Sequence, residues 1–243
     1  MNIQNKHIVI TGGASGLGFE LLRQLVPDNM ITVIARPSAG LMTLRENFPD
    51  IAIYEADLAD LGTVERAADA LVKSDQPIDV LINNAAVQYT PRFTDTDFRY
   101  ETIQREIDVN FTSICALVHL LLPNLMDAER ALIVNINSGL ALAPKTDSAI
   151  YCATKGALNI FSQSLAYQLE DTTVDVKQVF LPLVDTAMTA GRGSGKLNPE
   201  KVACDIIRGL SLSRANIDIS KVRVLRILQR IAPNFAARIM KAA

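Results

Sequence analysis

The sequence predicts a single α/β domain built on a doubly wound parallel sheet flanked by helices. Three observations predict it. Short β-branched runs alternate with longer amphipathic stretches, which is the pattern of βαβ units. Several short runs, such as residues 8–10 and 132–134, are apolar without alternation, as strands covered on both faces require. A glycine-rich turn, Thr11-Gly12-Gly13-Ala14-Ser15-Gly16-Leu17-Gly18, directly follows the first run.

The elements follow in order. Residues 7–11 read as the first strand and 17–25 as its helix. Residues 31–35 and 51–55 are the second and third strands. Residues 63–73 form a helix with Val64, Ala67, Ala68 and Leu71 on one face. Residues 80–83 are the fourth strand, 103–125 a long helix with Pro123 near its end, and 132–137 the fifth strand. Residues 151–170 are the next helix and 174–180 the sixth strand. No repeat, low-complexity tract or linker divides the chain, so residues 1–243 form one domain. Residues 190–199 carry three glycines, a serine and a proline, and read as a mobile loop.

From residue 214 to 243 the chain is basic, with seven basic residues against one acidic, and Val222, Leu225, Leu228 and Ile231 recur at helical spacing. Such a helix can lie on a membrane surface. Packing on its own domain or on a partner subunit is favoured, because most amphipathic helices bury their stripe in protein.

Composition narrows the functional classes. The net charge of -2 gives no electrostatic basis for binding nucleic acid. No apolar run approaches the ~20 residues of a bilayer span, and the N-terminus lacks the basic head and apolar stretch of a signal peptide. Cys115, Cys152 and Cys204 form no Cys-x-x-Cys pair and no zinc-ligand spacing, so a reducing, cytoplasmic setting is expected. Cys152 reads as a packed cysteine rather than a redox switch, and His119 as a core-edge or interface residue. His7 has no evident partner.

The turn at residues 11–18 is placed to bind a pyrophosphate. Glycines let the backbone turn tightly and approach the phosphates, and the following helix offers free N–H groups. A plain strand-to-helix turn is the alternative. An acidic residue that would hold a free ribose hydroxyl belongs at the end of the second strand, but Ala35-Arg36 stands there. An arginine can pair with a ribose 2′-phosphate, which favours NADP(H) over NAD. A solvated surface arginine is the alternative. Asp57 lies where it could accept from an adenine amino group, or simply shape a turn. Asn83-Asn84-Ala85-Ala86 follows the fourth strand, where small residues leave room for a flat cofactor.

Tyr151 and Lys155 are four residues apart on one helix and so share a face. Reducing a carbonyl takes a hydride from a cofactor and a proton from the protein. A nearby ammonium favours the phenolate of a tyrosine and lowers its pKa. Ser138 ends the fifth strand thirteen residues earlier, where it could polarise a substrate oxygen or cap a turn. Asn110 lies in the long preceding helix.

With these motifs in this order and at this spacing, the chain resembles a classical short-chain dehydrogenase/reductase over roughly residues 5–190. The resemblance implies a Rossmann fold with a seven-stranded parallel sheet and a catalytic tetrad of Asn110, Ser138, Tyr151 and Lys155, with Asn110 holding a relay water. It implies a cofactor site lined by Gly12, Ser15, Gly16, Leu17, Gly18, Asp57, Leu58, Asn84, Ala85, Pro182, Val184 and Thr186, beside Arg36, Tyr151 and Lys155. The chain departs from the family pattern at Ala86, where glycine is usual, at Pro182-Leu183, where Pro-Gly is usual, and in lacking the terminal Asp-Gly-Gly. The last strand is then the short segment 216–220. Pro-Leu-Val-Asp-Thr and the basic tail resemble a bacterial branch whose members include some named for D-alanine transfer operons, a name that implies no activity.

The expected function is hydride transfer between NADP(H) and a carbonyl or secondary alcohol, in a homodimer or homotetramer. An NADP-sensing regulator without turnover and an NAD-dependent dehydrogenase are the alternatives. Specificity is expected in residues 87–98, 140–148 and 187–197, with Arg92, Lys145 and Arg192 as candidate anion contacts.

Overall fold

The apolar runs become the seven strands of one parallel sheet in the computed structural model, which describes residues 2–241. The strands are β1 (His7–Thr11), β2 (Met30–Ala35), β3 (Ala52–Glu55), β4 (Val80–Asn83), β5 (Ala131–Ser138), β6 (Val174–Leu181) and β7 (Asn216–Asp218). Their order is β3-β2-β1-β4-β5-β6-β7. The order reverses between β1 and β4, where Ile8 aligns with Val80 and Ile10 with Ile82. Ligands of open α/β sheets bind at such a switch point, outside the carboxyl ends of the strands.

The helices are α1 (Gly16–Leu25), α2 (Ala39–Asn47), α3 (Leu61–Val72), α4 (Glu101–Ile107), α5 (Ser113–Met126), α6 (Ala149–Gln168), α7 (Pro199–Leu210), α8 (Val222–Ile231) and α9 (Pro233–Lys241). The unbroken apolar strands have a direct cause. Ile8, Ile10, Val80, Ile82, Leu132 and Val134 join one core with Leu21 and Leu22 of α1, Leu41 and Leu44 of α2, and Val202 and Ile206 of α7. Val9, Leu81 and Ile133, from the alternate positions, join the other with Val64, Ala68 and Leu71 of α3, Leu117, Leu121 and Leu125 of α5, and Leu165 of α6. Successive side chains leave a strand on opposite faces, so both sets must be apolar. Each such fully buried aliphatic contributes about 1.5–3 kcal/mol.

The structure revises several expectations. The long helix is broken at Asp108–Thr112 by a π-helical turn, a feature that often marks functional sites. Within the helical stretch Glu101–Met126 one window is, by length and composition alone, apolar enough to cross a membrane, although no continuous apolar run of that length exists. Half of its most apolar window is buried, and α5 packs on α3 and β5 as a core helix. His7 does have partners: its ring nitrogens lie 2.9 Å from the Pro77 carbonyl and 2.9 Å from Thr32 Oγ1, and burial lowers its pKa. The segment 190–199 is tethered at its end, where Leu197 pairs with Val184 and exchanges backbone hydrogen bonds with Leu183 and Asp185. Pro199 already belongs to α7, capped by the Asn198 side chain.

Candidate active site

A cleft of about 1690 Å³ runs across the carboxyl ends of the strands and gathers nearly every residue singled out from the sequence. Its floor is the glycine turn. Gly12 and Gly16 have φ of 69° and 54°, the left-handed region that favours glycine. Gly18 serves close packing: a Cβ there would meet Gly12 O at 2.3 Å and Asn84 Nδ2 at 2.5 Å. Asn84 fastens the turn, its Nδ2 donating to Thr11 O at 3.0 Å and Gly12 O at 3.3 Å. Thr11 Oγ1 in return accepts from the N–H groups of Asn84 and Ala85. Beside Ser15, Leu17 and Gly18, the backbone at Gly16 thus forms a cradle at the start of α1 that a Cβ would crowd against Thr186. A dinucleotide pyrophosphate fits it by shape and by the helix dipole.

At one end of the cleft β2 delivers Arg36, exposed and facing the same space as Ser38 and Asp57. Ser38 caps α2, its Oγ accepting from Leu41 N at 3.2 Å. Gly40 permits close approach of α2 to the glycine turn, since a Cβ there would meet Ala14 O at 2.7 Å. Neither Ser38 nor Gly40 was singled out from the sequence, although a serine two residues past the strand-end arginine is a usable capping signal. Asp57 and Leu58 line the cleft after β3. The Asp57 carboxylate accepts from Ala59 N at 3.0 Å and from Arg105 Nη2 at 3.1 Å. Partial burial would raise its pKa, but these donors and the field of Arg36 outweigh burial and hold it below the usual carboxylate value. The tie to Arg105, 48 residues away, has no signature in the sequence.

At the other end β5 and α6 meet. Ser138 closes β5, and its Oγ accepts from Leu140 N at 3.1 Å, so the capping role is present. Tyr151 and Lys155, one turn apart on α6, face the same cleft. Lys155 is buried, its Nζ donating to Ile136 O at 2.9 Å and lying 5.7 Å from the Tyr151 ring centre. Burial pushes the Lys155 pKa down to about 8. Burial raises the Tyr151 pKa, with Cys152 and Glu106 adding to it, while Arg192 and a hydrogen bond with Ser138 pull it down. Asn110 sits in the π-turn, fully buried and outside the cleft lining. Its Oδ1 accepts from Val87 N at 2.8 Å and its Nδ2 donates to Val87 O at 2.9 Å, so its amide pins the segment after β4. Cys152 is buried and its thiol pKa is raised by burial, which matches a packed cysteine.

The wall after β6 carries Pro182, Val184 and Thr186. Thr186 opens a capping box with Thr189, and its methyl lies 3.3 Å from where a Cβ on Gly16 would stand. The tail closes the far end: Val222, Leu225 and Leu228 line the cleft, with Ile239 and Met240 beside them. Ile231, the fourth member of that stripe, instead is exposed with Val224, Ile227 and Phe235. Glu106 of α4, overlooked in the sequence, is buried within the electrostatic reach of Tyr151 and Arg192.

The comparisons agree with this fold. The family model for short chain dehydrogenase matches residues 6–196. An uncharacterized oxidoreductase named DltE from Bacillus subtilis (strain 168) is 35% identical over 194 residues, covering 77% of this chain and 75% of that protein. A short chain dehydrogenase from Burkholderia cenocepacia J2315, solved with NADP, superposes with a TM-score of 0.88 at 20% identity, over 99% of both chains. A short chain dehydrogenase/reductase from Burkholderia phymatum, solved with NAD, gives 0.85 at 19% identity, over 97% of this chain and 96% of that one.

Proposed function

Because this chain belongs to the short-chain dehydrogenase family, we propose that it is an NADP(H)-dependent oxidoreductase that interconverts a carbonyl and a secondary or primary alcohol. The observation that carries this proposal is the convergence of Ser138, Tyr151 and Lys155 on the same cleft as the glycine cradle. When bound, the dinucleotide supplies the hydride in reduction and accepts it in oxidation. The Tyr151 hydroxyl gives its proton to the substrate oxygen and recovers one from solvent between turnovers. The Ser138 hydroxyl donates to the same oxygen and polarises it. The Lys155 ammonium steadies the developing phenolate and would hold the nicotinamide ribose. Asn110 holds the backbone that frames this end of the cleft.

Arg36 supports NADP(H) over NAD(H). The fold alone does not discriminate, since its solved neighbours include both an NADP and an NAD complex. A 2′-phosphate carries close to two negative charges, where NAD has a neutral hydroxyl. A guanidinium bonds phosphate at two points. No carboxylate stands at the end of β2, where Ala35 is followed by Arg36. A charge-assisted contact contributes ~1.5–3 kcal/mol, roughly a ten- to hundred-fold preference. Arg36 is exposed, so rising salt should shrink that preference. Arg36→Ala should remove most of it and leave NADH affinity nearly unchanged. Fluorescence titration of both variants with NADPH and NADH across a salt series reads the effect; equal wild-type affinities at physiological salt would reverse the cofactor assignment. Depletion of NADPH over a panel of ketones and aldehydes tests the activity itself, and binding without turnover would mark a sensor.

A homodimer or homotetramer in a reducing, cytoplasmic setting completes the proposal. Exposed Ile160 and Tyr167 on α6 support self-association, and three free cysteines support the setting.

A further inference from the structure

Of Arg92, Lys145 and Arg192, the three candidate anion contacts, one stands apart. Arg92 is engaged by Asp147 at 2.6 Å. Lys145 lies in the field of that same Asp147. Arg192 lines the cleft, yet its Nη1 is enclosed and has no hydrogen-bond partner among the described residues. An enclosed donor left without an acceptor costs the desolvation of that group, so such an atom calls for a partner the protein itself does not supply.

Glycines shape the turn that carries it. Gly191 and Gly193 flank Arg192 with φ of 72° and 56°, and Arg192 N donates to Thr189 O at 3.1 Å. A Cβ on Gly193 would meet Leu183 Cδ2 at 2.6 Å, so the turn is packed onto the wall after β6. Lys196 ties the other side, donating to Thr189 O at 2.6 Å and pairing with Asp185 at 3.5 Å. Tyr151 and Glu106 both lie within the electrostatic reach of Arg192. Glu106 is a weak rival for its charge: its Oε1 already accepts from Tyr89 N at 2.9 Å, and burial raises its pKa to about 7.

We infer that Arg192 selects the substrate, taking a carboxylate carried on the same molecule as the carbonyl that Tyr151 addresses. This rests on the oxidoreductase function proposed above and assigns its substrate class: an oxo acid, or the corresponding hydroxy acid. The planar guanidinium matches a carboxylate at two points, and partial burial strengthens the pair relative to water.

Two measurements separate this inference from the activity it rests on. The first compares 4-carboxybenzaldehyde with its neutral ester, methyl 4-formylbenzoate, as substrates with NADPH. The wild type should favour the carboxylate about ten- to hundred-fold in kcat/KM. In Arg192→Met that ratio should fall to near one, and Arg192→Lys should keep part of it. The second measures calorimetric binding of benzoate and benzamide to the NADPH-loaded protein, with no turnover involved. Benzoate should bind the wild type more tightly than benzamide, and Arg192→Met should abolish the difference. Equal binding of the two by the wild type, or a preference that survives in Arg192→Met, would overturn the inference. If neither aldehyde is reduced while benzoate binds through Arg192, the anion site stands and the proposed reaction fails.

Discussion

Tyr151→Phe is expected to lower turnover by about 10²–10⁴-fold while leaving NADPH affinity close to that of the wild type. The substitution deletes one oxygen and keeps the ring, so packing against α6 neighbours changes little. That oxygen is the proposed acid, on a residue that lines the cleft with Ser138 and Lys155. Burial alone raises the pKa of Tyr151 and so disfavours the phenolate that proton donation leaves behind. Something must offset burial for the proton to move, and the ammonium of Lys155, 5.7 Å from the ring centre, is placed to do so. Steady-state rates with a good aldehyde, beside a NADPH titration, check the expectation. A variant that kept more than a tenth of the wild-type rate would exclude Tyr151 as the acid.

Lys155→Met should produce a comparable loss in kcat and, unlike Tyr151→Phe, also weaken NADPH binding. Lys155 Nζ is buried and held by Ile136 O at 2.9 Å, leaving its remaining donors for the cofactor ribose and for the field at Tyr151. The two variants therefore differ in which constant they change. The lysine also predicts a pH dependence. Its pKa is lowered to about 8 by burial, so the ammonium is complete well below that pH and is lost as pH rises through it. The rate of carbonyl reduction should fall along that limb. A pH–rate profile of the wild type should show the descent near pH 8, and Lys155→Met should lack it. A wild-type profile flat to pH 10 would contradict the role given to the lysine.

The sheet was legible because its strands obey a simple rule. Residues such as Ile8, Val9 and Ile10 are apolar in succession since alternate positions serve two different cores. The glycine turn was legible for an equally local reason, a backbone that only glycine tolerates at Gly12 and Gly16. Helix α2 was not, because it buries only Leu41 and Leu44 and so carries almost no periodic stripe. The π-turn at Asp108–Thr112 leaves no trace in composition, since one displaced hydrogen bond asks for no special residue. Helix α7 did carry a signal, with Asn198 as cap, Pro199 at its first turn and Val202, Ile206 and Leu210 on one face. In the site, Ser138, Tyr151 and Lys155 could be named from spacing because β5 and α6 are consecutive elements. The tie between Asp57 and Arg105, and the approach of Glu106 and Arg192 to Tyr151, join residues distant in sequence and emerge only from tertiary packing. The tail was half legible: Val222, Leu225 and Leu228 do turn inward on their own domain, but Ile231 does not.

The central claim is that this cleft carries out hydride transfer from NADPH to a carbonyl, with Tyr151 as the proton donor. Its most direct test is isotopic. Wild-type protein and Tyr151→Phe are incubated with NADPH bearing deuterium at C4 of the nicotinamide, each with the aldehyde panel, and the alcohols are analysed by mass spectrometry. The wild type should deliver one deuterium to the carbonyl carbon of the product, from the pro-R- or the pro-S-labelled cofactor but not from both. Tyr151→Phe should form about 10²–10⁴-fold less of the labelled alcohol in the same time. Saturated NADPH binding by the wild type with no deuterated alcohol from any member of the panel would contradict the account.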